Sequence, residues 1–360
     1  MRSSTLLSLI LITLIFAGVP AAFAFETDQY NLPPKPLFDI GDEVSDHIAQ
    51  NLVSAVAKVN AEIVVHQSCL DVPRIKGSKC GTADAERSRL TYLHSNDAVA
   101  NEVYKLLGYG DLFVTKTGKW FRKHKFSKEP ARYTTTYLES IYVTLPSDYL
   151  TISPTIRLYG SQFGLDKIEH FFQQGYGYYK IYEKDIAAGA MPDAAAKKAV
   201  KWGKMTERTY FGLLVSGVYS NADLVANYAG MKFYLGLTQP ITIGMVTRPA
   251  ILSLKDGSWA INDSAALHEN LIKPFLSEHL NEAINPSIYA FNLYPTVRRV
   301  VKNQACPEWR KLYPELTRSD IAARTEEMAL WYGEDYGYAK QRRMVSIAGT
   351  CFSDTGTKPS

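Results

Sequence analysis

A polar stretch over 166–170 places a carboxylate, Asp166, four residues before an imidazole, His170. Residues four apart lie on one face of a helix, so these two side chains are predicted neighbours. A carboxylate beside an imidazole fixes the ring tautomer and raises its basicity. The spacing therefore suits proton transfer, with His170 as general base, Asp166 as its orienting partner and Gln173 further along the same side.

A second polar pair, Asp223 and Asn227, lies four residues apart in an otherwise apolar segment, and Gly230 follows where it would permit close helix packing. Glu207 precedes this pair by sixteen residues, about 24 Å on a straight helix, so the two meet only if the chain turns near 217–220. A bundle of the helices that start near 166, 192 and 220 would then gather these groups in its core. The predicted catalytic residues are Asp166, His170, Glu207 and Asp223, and the predicted substrate-binding residues are Lys167, Gln173 and Asn227.

Two other interpretations of the same residues stay open. His170, Asp166 and Asp223 could ligate a divalent metal, which is the candidate cofactor. Alternatively, Asp166 caps its helix, 220–223 is a capping box, His170 is a core histidine and Glu207 is a solvated residue.

The motif order Asp-Lys-x-x-His-Phe, followed by Asp-x-x-x-Asn and a glycine, resembles that of the VanZ-like bacterial envelope proteins over 166–237. The resemblance implies one shared polar cluster, made of Asp166, Lys167, His170, Asp223 and Asn227. Those proteins are embedded in a membrane. The helices predicted here carry repeated charges between 184 and 204, and none has the sequence pattern of a membrane-spanning helix.

The N-terminus has the three parts of a signal peptide: a charge at Arg2, an apolar stretch over 6–19 and the small-x-small pattern that ends at Ala24. We expect a signal peptide over 1–24 and a periplasmic or secreted mature protein with no transmembrane anchor. The partners are then envelope components: wall, lipid or glycan.

Four cysteines allow three pairings, and an even count in an oxidising compartment favours two disulfides. The pairs nearest in sequence are Cys69–Cys80 and Cys306–Cys351, which we predict. Both pairs together would remove every thiol nucleophile.

An apolar content of 46% and a charged content of 21% are typical of a globular protein, and a net charge of +4 is too mild to indicate nucleic-acid binding. A basic and aromatic stretch over 116–128 could hold an anionic polymer, although a solvated hairpin is the favoured interpretation. The sequence lacks the zinc-protease, nucleophile-elbow, P-loop and dinucleotide motifs.

Hydrophobic periodicity predicts a mainly α fold: one mostly helical domain over 25–360 with a β-containing insert at 111–160. Helices are expected over 42–66, 96–107, 166–185, 192–219, 220–237, 264–283 and 317–332. The insert is expected to hold a hairpin over 112–121 and strands over 133–143 and 149–159. The leading functional hypothesis is an exported hydrolase of the cell envelope, and the alternative is a non-catalytic structural or binding protein there.

Overall fold

The computed structural model describes residues 26–71, 80–111, 114–143, 152–209, 211–263, 267, 271–315 and 317–352. The expected signal peptide lies outside the described residues. The fold is mainly α with small antiparallel sheets, as the periodicity predicts.

The helices of the N-terminal and central parts are α1 (Gly41–Asp71), α2 (Ala83–Leu93), α3 (Asn96–Leu107), α4 (Lys116–Lys123), α5 (Leu165–Ala187), α6 (Pro192–Arg208) and α7 (Asn221–Gly236). Further helices follow in the C-terminal part: α8 (Tyr294–Val300), α9 (Cys306–Leu312), α10 (Arg318–Glu327) and α11 (Ile347–Cys351). Single 3₁₀ turns lie at Lys273–Phe275 and Glu278–Leu280, and a π-helical turn, Val301–Ala305, joins α8 to α9.

The strands are β1 (Gly110–Asp111), β2 (Val114–Thr115), β3 (Arg132–Tyr133), β4 (Thr155–Leu158), β5 (Ser161–Gly164), β6 (Val218–Tyr219), β7 (Ile241–Ile243), β8 (Val246–Arg248), β9 (Leu252–Lys255), β10 (Ser258–Ile261), β11 (Ser287–Tyr289) and β12 (Met344–Val345). They form the hairpins β1–β2, β7–β8 and β9–β10 and the three-stranded sheets β3–β4–β5 and β12–β11–β6.

Helix α1 extends five residues beyond the expected end and buries a stripe that includes Val44, Ile48 and Leu52 in the main core. Within the described part of the chain, it is the one helix long and apolar enough to cross a membrane by length and composition. The buried stripe packs against the rest of the protein, whereas Val64 and Val65 on the same helix are exposed.

Helices α5 and α7 cross at two glycines, as the position of Gly230 predicts. A Cβ on Gly230 would lie 2.0 Å from the carbonyl oxygen of Phe171 and 2.9 Å from the Cα of Gly175. Only glycine permits this approach of the two backbones. At this crossing, the first turns of α5 and α7 lie side by side. These two turns carry most of the polar motif residues.

The expected helix over 192–219 is wrong in its second half, because α6 ends at Arg208. The chain then turns, with Gly217 at a φ of +76°, and residues 218–219 pair with β11 instead. This turn is the condition under which Glu207 and Asp223 can meet.

The expected helix over 264–283 is helical at its described residues 267 and 271, but it is wrong from 272 onward, where two 3₁₀ turns replace it. Pro274 lacks an N–H and disfavours a continuous α-helix there. Residues 264–266 and 268–270 lie outside the described part of the chain.

The β-containing insert is confirmed only in outline. Residues 116–123 form helix α4 rather than one arm of a hairpin, because the hydroxyl of Thr115 caps it by accepting from the N–H of Gly118. Of the expected strand over 133–143, only Tyr133 is in a strand, and residues 137–143 form turns. In the second expected strand, β4 covers 155–158, and residues 149–151 lie outside the described part.

Both predicted disulfides are present, Cys69–Cys80 and Cys306–Cys351. The second joins the start of α9 to the end of α11, within a smaller core that also contains Trp309. Two disulfides indicate an oxidising, extracytoplasmic location for the protein. The predicted cap of the helix over 317–332 is confirmed as a capping box between Thr317 and Asp320, although α10 already ends at Glu327.

Candidate functional site

Lys167 lies at the centre of a buried group of charges. Its side chain is fully buried, and its Nζ lies 2.6 Å from Asp166 Oδ2, 2.5 Å from Asp223 Oδ1 and 2.6 Å from Glu282 Oε1. We call these four residues, with Glu26, His170 and Glu207, the Lys167 cluster. Burial alone would lower the pKa of Lys167, but the surrounding carboxylates raise it well above its ordinary value, so the ammonium stays charged.

His170 meets two residues of α7. Its Nε2 lies 3.5 Å from Asp223 Oδ2, and its Nδ1 lies 3.1 Å from Asn227 Oδ1. The side chain of His170 is 16% exposed and that of Asp223 only 2%. The imidazole therefore stands between the buried charges and the surface.

Asp166 is not the orienting partner of His170, contrary to the spacing argument. Its carboxylate accepts a hydrogen bond from Thr27 Oγ1 at 2.7 Å and one from Lys167 Nζ. Asp166 is also not the helix cap, since Gly164 holds that position. A shared helical face brought the two side chains near each other, but the tertiary partners turned the carboxylate inward.

The start of α7 forms half of the expected capping box. Ser220 Oγ accepts from the N–H of Asp223 at 3.1 Å, but the N–H of Ser220 donates to Glu207 Oε1 at 2.9 Å. Glu207 thus takes the place that the carboxylate of Asp223 would fill in a full capping box. Asp223 is free to contact Lys167 and His170 instead.

The carboxyl groups of the cluster differ in charge. Burial, followed by neighbouring carboxylates, raises the pKa values of Glu26 and Glu207 well above the ordinary value. Burial also raises the pKa of Glu282, to about 7, although Lys167 opposes the shift. Burial would raise the pKa of Asp223 too, but His170 and Lys167 outweigh it and lower the value. Asp223 is therefore the carboxylate best held in its charged form beside the imidazole.

The first described residues cover the cluster from another side. Gln29 accepts a hydrogen bond through Oε1 from the N–H of Glu282 at 2.5 Å, and Thr27 binds Asp166. Ser220 Oγ donates to Glu282 Oε1 at 2.8 Å. Five separate chain segments, near 26–29, 165–170, 207, 220–227 and 281–282, therefore converge on one charge network.

The structure brings together all four predicted catalytic residues, Asp166, His170, Glu207 and Asp223, but it alters the predicted binding set. Lys167 is 1% exposed and ion-paired within the core, so it cannot bind a substrate from the surface. Asn227 binds His170. Gln173 is half-buried and has no hydrogen bond to the Lys167 cluster within the described part of the chain.

Sequence reasoning missed Glu26, Glu282 and Ser220 as members or supports of this network. Glu282 lay in a segment expected to be helical, and Glu26 lay just after the expected cleavage site. In the described part of the chain, the acidic or imidazole groups close enough to share an ion are Glu26, Asp166 and Glu282, rather than the predicted set of His170, Asp166 and Asp223.

The basic stretch is a helix followed by a loop, and its aromatic residues face the protein. Trp120 stacks between His47 and His124, with ring centroids 4.0 and 4.5 Å away. Burial lowers the pKa of His47 to about 4. The exposed basic residues here are Lys116, Lys123, Lys125 and Lys128.

Comparison of the chain with protein-family models, with curated proteins and with solved structures finds no match.

Proposed function

We propose that the protein is a periplasmic or secreted hydrolase that acts on a wall, lipid or glycan component of the cell envelope. His170 is its proton-transfer residue, and Asp223 and Asn227 position the ring. The single observation that carries the proposal is the contact of a partly exposed imidazole with a buried, charged carboxylate: His170 Nε2 lies 3.5 Å from Asp223 Oδ2.

The chemistry of this contact favours proton transfer. When the imidazole gains a proton, both ring nitrogens carry an N–H, one toward Asp223 and one toward Asn227 Oδ1. The charge of Asp223 then stabilises the imidazolium, as the buried aspartate does in other carboxylate–imidazole pairs. Lys167 in turn keeps Asp223 charged.

The nucleophile in this proposal is water. The described cysteines are all in disulfides, so none of them can act as a thiolate nucleophile. His170 Nδ1, the ring nitrogen not paired with Asp223, would take a proton from water as the water oxygen bonds to the substrate. It would return this proton to the leaving group as the scissile bond breaks. The likeness to the motif of VanZ-like envelope proteins supports the choice of an envelope substrate, because the residues of that motif fall in this cluster.

The test is a set of variants assayed for release of soluble products from purified wall material, phospholipid vesicles and envelope glycans. His170→Ala should lower the rate on the responsive substrate by about 10²-fold or more while the variant stays folded. Lys184→Ala, at an exposed position near the end of the same helix, is the control and should keep its activity. Full specific activity in His170→Ala would refute the role of this residue.

A non-catalytic structural protein is the second candidate, and a specific observation favours it: the cluster joins five chain segments and, apart from His170, is almost sealed. In that case the wild-type protein would turn over no substrate in the panel, and His170→Ala and Asp223→Asn would affect only the melting temperature. Turnover by the wild-type protein therefore distinguishes the two candidates.

A further inference from the structure

Three carboxylates on one side of the Lys167 cluster point at one another. Glu26, Asp166 and Glu282 each have an oxygen that lies within 4.8 Å of the others. Their exposed fractions are 3%, 2% and 0%. Bringing three carboxylates this close in the interior is costly unless a positive charge or protons compensate for it.

Buried polar groups around these carboxylates lack partners, which is an observation separate from the acidic cluster. Among the described residues, Glu26 Oε2 and Glu282 Oε2 accept no hydrogen bond, and neither Gln29 Nε2 nor the hydroxyl of Tyr142 donates one. Gln29 is held here by its bond to the N–H of Glu282. A buried polar group without a protein partner is rare in proteins and is commonly explained by a bound water or ion.

The hydroxyl of Tyr142 belongs to the same place. Tyr142 is fully buried, and the charges that act most on it are those of Glu26 and then Glu282. Its hydroxyl is thus a donor close to two of the carboxylates, and it has no hydrogen-bond partner among the described residues.

The charge of Lys167 by itself cannot compensate for the negative charges of the three carboxylates on this side of the cluster. Its single charge is already shared by Asp166, Asp223 and Glu282. Glu26 makes no ion pair with it and keeps an unpartnered oxygen. One more cation beside Glu26 would restore the balance of charge.

We propose that Glu26, Asp166 and Glu282 bind a Ca²⁺ ion, with the Tyr142 hydroxyl and the Gln29 amide donating to the outer coordination shell. Carboxylate oxygens are the ligands of hard cations, and Ca²⁺ takes them at about 2.3–2.6 Å in flexible geometry. The three carboxylates each have an oxygen within 4.8 Å of the others, so one ion placed between them can reach all three. The ion ties the first described residues to α5 and to the segment after the second 3₁₀ turn.

This site is independent of the proposed hydrolase activity, and its test needs no substrate. Protein treated with a chelator is titrated with CaCl₂ at pH 7.5 by isothermal calorimetry, with MgCl₂ in a parallel titration. We expect one Ca²⁺ per chain, weaker binding of Mg²⁺, and a melting temperature that rises with the concentration of Ca²⁺. Absence of Ca²⁺ binding by the wild-type protein overturns the proposal.

Glu26→Gln should weaken Ca²⁺ binding by at least about tenfold, since it removes a charged ligand and keeps the shape of the side chain. Glu207→Gln is the matched control: Glu207 is equally buried in the cluster but is not a ligand, so its variant should retain wild-type affinity. Equal affinity in both variants would contradict the assigned ligands. If Glu26→Gln does not fold, Tyr142→Phe is the variant that tests the site. Loss of this outer-shell hydroxyl should weaken Ca²⁺ binding, and an unchanged affinity would overturn the proposed site.

Discussion

His170 on α5 and Asp223 on α7 meet across the helix crossing, with Nε2 and Oδ2 3.5 Å apart, although 53 positions separate them in the chain. The carboxylate four residues before His170 faces away from it. The pair exists because the two helices approach closely at Gly175 and Gly230. Proton transfer at His170 thus depends on a contact between helices and not on a pattern within one helix.

The contact between these two residues should appear as an energetic coupling. In a double-mutant cycle with His170→Ala and Asp223→Asn, the free energies of unfolding should be non-additive by about 0.5–3 kcal/mol. The control cycle replaces Asp223→Asn by Asp97→Asn, which alters a surface ion pair with Lys180. That cycle should be additive within about 0.5 kcal/mol in urea titrations. Additivity in both cycles would show that the 3.5 Å contact has no energetic consequence.

Lys167→Met should destabilise the fold strongly, because it leaves Asp166, Asp223 and Glu282 buried around an apolar side chain. Removing one member of a buried ion pair typically costs about 3–5 kcal/mol. Lys180→Met is the comparison, since Lys180 pairs with Asp97 at the surface, where such pairs contribute about 0–1 kcal/mol. Both free energies of unfolding are measured by urea titration at pH 7. A loss in Lys167→Met no larger than in Lys180→Met would argue against a charged lysine in the core.

Glu282 should make stability fall as the pH rises. Its folded pKa, about 7, lies above its ordinary value of 4.5, so the folded state holds this proton more tightly than the unfolded state. The resulting stabilisation is complete below pH 4.5 and is lost as the pH rises through about 7; a shift of this size corresponds to about 3 kcal/mol.

The measurement for Glu282 is a series of urea titrations from pH 5 to pH 8 in the presence of a chelator. Glu282→Gln, which keeps the shape of the side chain and cannot titrate, should have a flatter profile over this range. Glu26 and Glu207 contribute in the same direction and remain in both proteins. An identical slope in wild type and variant would rule out Glu282 as a titrating group.

Gly230→Ala should separate α5 from α7 and destabilise the protein, because the added methyl would lie 2.0 Å from the carbonyl oxygen of Phe171. Overpacking of this kind costs about 1–3 kcal/mol. In the matched control, Gly349→Ala on α11, the added methyl would lie 3.5 Å from the hydroxyl oxygen of Ser346, which is ordinary contact. The melting temperatures of the two variants are measured under the same conditions. An unchanged melting temperature in Gly230→Ala would mean that the two helices pack less closely than the glycines indicate.

The sequence alone determined the features that depend on local pattern. The apolar spacing from Val44 to Ile63 predicted most of α1, and the expected helix over 96–107 matches α3. The capping residues Thr317 and Asp320 marked a true helix start. Nearest-neighbour pairing was sufficient for both disulfides, because the partners lie on adjacent or connected segments.

Only the tertiary structure decided which polar residues touch. A four-residue spacing places Asp166 and His170 on one helical face, but Thr27, 139 positions away, holds the carboxylate elsewhere. Glu282 carried no periodic signal, and it joins the cluster because the chain folds back after two 3₁₀ turns. Periodicity reports which face of an element is apolar, whereas long-range ion pairs depend on how elements cross, and that is set by packing among distant residues.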